Sequence, residues 1–115
     1  MNSDDVSQLM SEWMRSLSVP ERMRALALMY SYITVATREL FFPQTTSGKE
    51  RIILELLHGV NELHHTLANS LLRWGHGEQD WTPEALSRQL LEIAQQYRIV
   101  HLLKSSVEFA RTRKY

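Results

Sequence analysis

The chain has 115 residues, 43% of them hydrophobic and 23% charged, with 13 basic and 13 acidic side chains and a formal net charge of zero. That suffices for a single domain over residues 1–115 with one core, and it excludes the composition of a disordered chain. The neutral balance argues against a dedicated nucleic-acid binder and removes repulsion between copies. The absence of cysteine excludes disulfides, thiolate zinc sites and cysteine nucleophiles.

The opening MNSDDVSQLM places two acids where a signal peptide carries basic residues, and no apolar run follows. No stretch approaches the roughly 20 apolar residues of a membrane helix. The expectation is a cytoplasmic protein.

The first helix is expected from about Asp4 to Leu17, with Ser3 as its cap. Val6, Leu9, Met10, Trp13, Met14 and Leu17 follow the i, i+3, i+4, i+7 rule of an amphipathic helix. Ser18 and Glu21 form a capping box, with Pro20 in the tolerant first turn, and start a second helix that ends before Pro43. This second helix is apolar on two sides. Met23, Leu26, Tyr30, Ile33 and Leu40 form one stripe; Leu28, Tyr32, Val35 and Phe42 form another, nearly opposite. A helix apolar on more than one side is buried within its own fold or against another chain. The zero net charge and the uneven helix lengths favour the second choice, a twofold contact between two copies.

Ser47 and Glu50 make another capping box. The third helix runs to about Trp74, with Gly75 as a left-handed cap. Its core stripe is Ile53, Leu56, Leu57, Val60, Leu63, Leu67, Leu71 and Trp74, and Gly59 marks a close approach of another helix. Thr82 caps a fourth helix with Pro83 at its first position and a Trp81–Leu86 staple. Apolar steps of four and three from Leu86 through Leu90, Ile93, Tyr97, Val100, Leu103 and Val107 to Ala110 predict one unbroken helix. There is no strand signal. The expected fold is all-α: an up-and-down antiparallel bundle of four helices, the third and fourth long.

Candidate chemistry gathers on the third helix. Glu55, His58, Glu62, His65 and Asn69 share a face, and Glu62 and His65 have the Glu-x-x-His spacing of di-iron bundles. Only one such motif occurs, and its face points away from the apolar stripe, so a solvated face is the expected reading. Arg51 and His58 stand on one face as in a ribonuclease-like pair, but Ile52 follows where a polar residue would serve. His64, at the edge of the apolar stripe, reads as a partly buried neutral imidazole. Lys104, Arg111, Arg113 and Lys114 make the C-terminal end basic, which suits a helix C-terminus and would also suit phosphate contacts. A helix-turn-helix is not expected, because no turn signal interrupts the last helix. All five methionines fall between Met1 and Met29. Methionine fills irregular gaps in cores, and it also lines surfaces that accept varied partners. On the second reading Met10, Trp13 and Met14 join Leu28, Tyr32, Val35 and Phe42 as a partner or dimer surface.

These residues point to a small helical protein-binding module, an adaptor, chaperone-like or regulatory subunit, acting through an apolar helix face as a homodimer and without a cofactor. The alternative is a nucleic-acid-associated regulator using the basic C-terminal end. The third reading is a metal-dependent or ribonuclease-like enzyme on the Glu/His face.

Overall fold

The apolar pattern resolves into five helices rather than four. The computed structural model describes residues 3–41 and 50–113. These contain α1 (Ser3–Arg15), α2 (Val19–Phe41), α3 (Glu50–Gly75), α4 (Pro83–Gln96) and α5 (Val100–Thr112), with no strand among the described residues. Phe42, Lys114 and Ser47 of the expected capping box lie outside them, as do the side chains of Leu40 and Glu50.

Local signals set most of the boundaries. Ser18 N–H donates to Glu21 Oε1 at 3.0 Å and Glu21 N–H donates to Ser18 Oγ at 3.3 Å. The capping box is therefore reciprocal, and these bonds hold the Glu21 carboxyl below its ordinary pKa. Thr82 Oγ1 accepts the Ala85 N–H at 3.1 Å and starts α4 as expected. At the end of α3 the left-handed residue is Gly77, at φ 78°, not Gly75. Glu78 N–H reaches Arg73 O and Gly77 N–H reaches Trp74 O, both at 3.0 Å, which closes a Schellman motif.

The long final helix is broken at Tyr97–Ile99. Arg98 sits at φ 59°, in the position that glycine most often fills. Arg98 N–H donates to Gln95 O at 3.3 Å and Ile99 N–H to Ala94 O at 2.7 Å, again a Schellman pair. Buried Ile99 supplies its apolar contact. The break leaves α4 with 14 residues against 13 in α1, so the argument from a long fourth helix falls.

Packing follows from these breaks. Met23 approaches Gly75 and Thr34 reaches His64, so α2 and α3 are antiparallel. Trp81 reaches Ser70 and Tyr97 reaches Glu62, so α4 runs back along α3. The Arg15–Glu84 ion pair joins the end of α1 to the start of α4. Freed by the break, α5 packs on α2, which lies between α3 and α5. The core is formed by Met10 and Met14 from α1, Leu26, Met29 and Ile33 from α2, Leu63 and Leu67 from α3, Leu86 and Leu90 from α4, and Leu103 and Val107 from α5.

Candidate functional site

Burial sorts the sequence candidates. Met10 and Met14 are fully buried, as is Met29, so they fill the core and cannot form a contact surface. Trp13 is half-buried against the same core. On α2, Leu28 and Tyr32 are half-buried within the chain, and the Tyr32 ring lies 5.1 Å from that of Phe109 on α5. At Tyr32 the second stripe is therefore covered by a helix that the sequence had assigned elsewhere. Val35 remains, 53% exposed, beside a hollow of about 320 Å³ that it lines with Ser31, Tyr32, Ala36 and Phe109.

The Glu/His face of α3 is solvated. Glu55, His58, Glu62, His65 and Asn69 are all exposed. Tyr97 O–H donates to Glu62 Oε1 at 3.2 Å, tying the carboxylate sideways to the end of α4. Desolvation, and then the Glu62 acceptor, push the Tyr97 pKa up. An open hollow of about 610 Å³ includes Glu62, His64, His65 and, across from α4, Glu92. Among the described residues no three acidic or histidine side chains converge to hold a metal, so Glu62 and His65 lack the further ligands that a di-iron motif requires.

His64 has a built environment. Its ring stacks on Tyr30 at 4.0 Å between centroids. Nε2 lies 3.2 Å from Thr34 Oγ1 and 3.3 Å from the Tyr30 carbonyl. A carbonyl only accepts, so Nε2 carries the proton. Desolvation dominates and lowers the His64 pKa from 6.5, the Tyr30 hydrogen bond opposing it. The unfolded chain therefore takes up this proton at a higher pH than the fold does. The neutral-His contribution is intact above the unfolded value of 6.5 and declines as pH falls below it. His64→Phe keeps an aromatic ring against Tyr30 without a titrating group. Thermal melts are expected to show the wild type losing stability relative to His64→Phe as the pH is lowered from 7.5 to about 5. A constant difference across that range would show that His64 does not titrate differently in the fold.

The basic end is diluted. Lys104 is half-buried, and Arg111 and Arg113 are exposed. Glu108 lies between them on α5, and Arg113 stacks over Phe109 at 4.2 Å. Lys114 is outside the described residues. The three-residue turn before α5, not expected from the sequence, supplies the joint that a helix-turn-helix would need.

Two features escaped the sequence reading. The first is a tryptophan junction where α1, α2, α3 and α4 meet. Trp74 Nε1–H donates to the Trp81 carbonyl at 2.6 Å, and Trp81 Nε1–H donates to Ser70 Oγ at 2.8 Å. Ser70 Oγ–H, fully buried, donates in turn to Thr66 O at 2.8 Å. Arg22 lies 5.4 Å over the Trp74 ring and donates to Met14 O, while Arg73 covers Trp81 at 4.4 Å. Every polar atom of this relay is used inside the fold, so its role is structural. The second is on α3, where Ile52 and Leu54 are each 58% exposed, Leu57 38% and Leu72 61%. Leu57 was expected in the core. The strong inner stripe hides Leu54, Leu57 and Leu72 on the outer side, where the intervening positions are polar; Ile52 projects to another side of the helix.

Among the described residues no helix is long and apolar enough to cross a membrane. No family model, no curated protein and no solved structure matches the chain.

Proposed function

We propose that the protein is a small helical protein-binding module, an adaptor or regulatory subunit that works as a homodimer through an apolar helix face. The observation that carries this reading is the exposure of Leu54, Leu57 and Leu72 on the outward side of α3. Single exposed leucines are ordinary on any surface, but repeated large apolar side chains along one element mark a contact face. Zero net charge puts no electrostatic barrier between copies. The protein is expected to run in light scattering at tens of micromolar as a particle of twice the 13.5 kDa chain mass. A monomer at that concentration refutes the homodimer.

A second reading, a nucleic-acid-associated regulator, draws support from the α4–turn–α5 joint and from Lys104, Arg111 and Arg113. The acidic Glu108 among those cations and the neutral chain weigh against it.

A further inference from the structure

The turn between α4 and α5 sets shape against sequence. Among the described residues, Arg98 is the one non-glycine at a positive φ, 59°. That is the left-handed region, which a Cβ disfavours and glycine tolerates. Its neighbours Tyr97 (φ −102°, ψ 7°) and Ile99 (φ −122°, ψ 31°) lie beside the right-handed helical region. One large rotation, at Arg98, therefore separates the bent chain from a straight one. Neither glycine nor proline occurs between Pro83 and Tyr115. Leu86, Leu90, Ile93, Tyr97, Val100, Leu103 and Val107 hold one helical stripe across the turn. Straightened, α4 and α5 make a single helix about 45 Å long at 1.5 Å per residue.

The side chains on α5 decide where it goes. It is joined to the other helices by this turn alone, and it packs chiefly on α2. Leu103, Val107 and Ala110 are buried in that position, and the Phe109 ring lies 5.1 Å from that of Tyr32. Straightening strips these residues, and Tyr32 on α2, of their cover. Leaving several large apolar side chains in water is unfavourable. A second straightened copy restores both surfaces at once.

We infer that the homodimer proposed above is built by exchange of α5, each copy laying its last helix on α2 of the other. The inference rests on that homodimer reading and names its contact. No new fit is required. The α2–α5 contacts that the chain makes within itself are remade between copies by the same residues. Against the exchange stand the burial of Ile99 and the 2.7 Å bond from its N–H to Ala94 O, both of which belong to the bent turn. In its favour stand a relaxed Arg98 and the helical bonds of the straightened segment. These opposing contributions sit in a three-residue turn, and short strained hinges of this kind promote swapping. Protein concentration then selects between the closed chain and the pair.

Tyr32→Cys/Phe109→Cys puts one thiol on each side of the α2–α5 contact, and the chain has no other. The dimer fraction of this variant is treated with a short bismaleimide and run on a denaturing gel. The cross-link is expected to join two chains, whereas in closed chains it would lie within one. Arg98 is exposed, so it can be changed without disturbing the core. Arg98→Gly relaxes the bent turn and weakens the straight helix, while Arg98→Ala removes the same charge and favours the helix. Each pair holds two turns. The dimer dissociation constant of Arg98→Gly is therefore expected to exceed that of Arg98→Ala at least about tenfold, with circular dichroism of both still helical.

A dimer whose cross-links stay within single chains would overturn the exchange and leave the homodimer reading intact. Equal dissociation constants for Arg98→Gly and Arg98→Ala would overturn it too, because the turn would not be the hinge. A wild-type monomer would remove both.

Discussion

Replacing Trp74 by alanine is expected to lower the stability of the fold by about 3–5 kcal/mol. Trp74 is 4% exposed, and its ring fills the junction where four helices meet. Its removal leaves a cavity and also deletes the Nε1–H that satisfies the Trp81 carbonyl at 2.6 Å. Arg22 then loses the ring beneath its guanidinium. A domain of this kind holds only about 5–15 kcal/mol in total, so the variant should unfold at a much lower urea concentration. Trp74→Phe separates the two contributions. It keeps most of the apolar volume but strands the carbonyl, and the expected loss is about 1–3 kcal/mol. Urea titrations followed by circular dichroism give both numbers. A loss below about 1 kcal/mol for the alanine variant would show that the junction does not hold the helix ends together.

Gly59→Ala is expected to destabilise the protein by about 1–3 kcal/mol, although alanine is the better helix former by about 1 kcal/mol. A Cβ at position 59 would stand 2.5 Å from Tyr97 Cβ and 2.7 Å from Tyr97 Cγ, with Ile99 Cδ1 at 3.0 Å. The nearest of these atoms, Tyr97 Cβ, is bonded directly to the backbone of the α4–α5 turn, so no rotamer change relieves the contact. Either α3 moves away from the turn or the turn deforms. A variant as stable as the wild type would mean that the turn yields easily and that Arg98 is not held in its left-handed conformation by this packing.

What could be read before folding depended on the range of the signal. The Ser18–Glu21 box, the Thr82 cap and the seams of α1 and the inner face of α3 involve residues a few positions apart, and all were legible. The break at Arg98 was not. The apolar steps from Ile93 through Tyr97 and Val100 to Leu103 keep the helical period across it, and no glycine or proline marks the spot. The only local hint is the β-branched pair Ile99–Val100, a weak one. Gly59 was read as a close approach, but its partner, the turn itself, lies in a distant segment. The methionines misled for a related reason. Met10 and Met14 become core only because α4, capped and shortened, lies against α1. The second stripe of α2 could be recognised as needing cover. That α5 provides it for Tyr32 required knowing that the last helix breaks. On α3 the outer leucines escaped notice because His58, Asn61 and His65 separate them.

The bend at Arg98 also sets the order in which surfaces close during synthesis. An unbroken helix would carry α5 about 20 Å onward from α4. Folded back instead, α5 brings Phe109 to Tyr32, a contact between segments from opposite parts of the chain. At 5–20 residues per second, the ribosome needs roughly 4–15 s to pass from one to the other. Throughout that interval α2 exists without its lid, with Tyr32 facing whatever the nascent chain meets. A helix packed between two others is thus among the last to be sealed. A premature stop before Phe109 would leave it open for good.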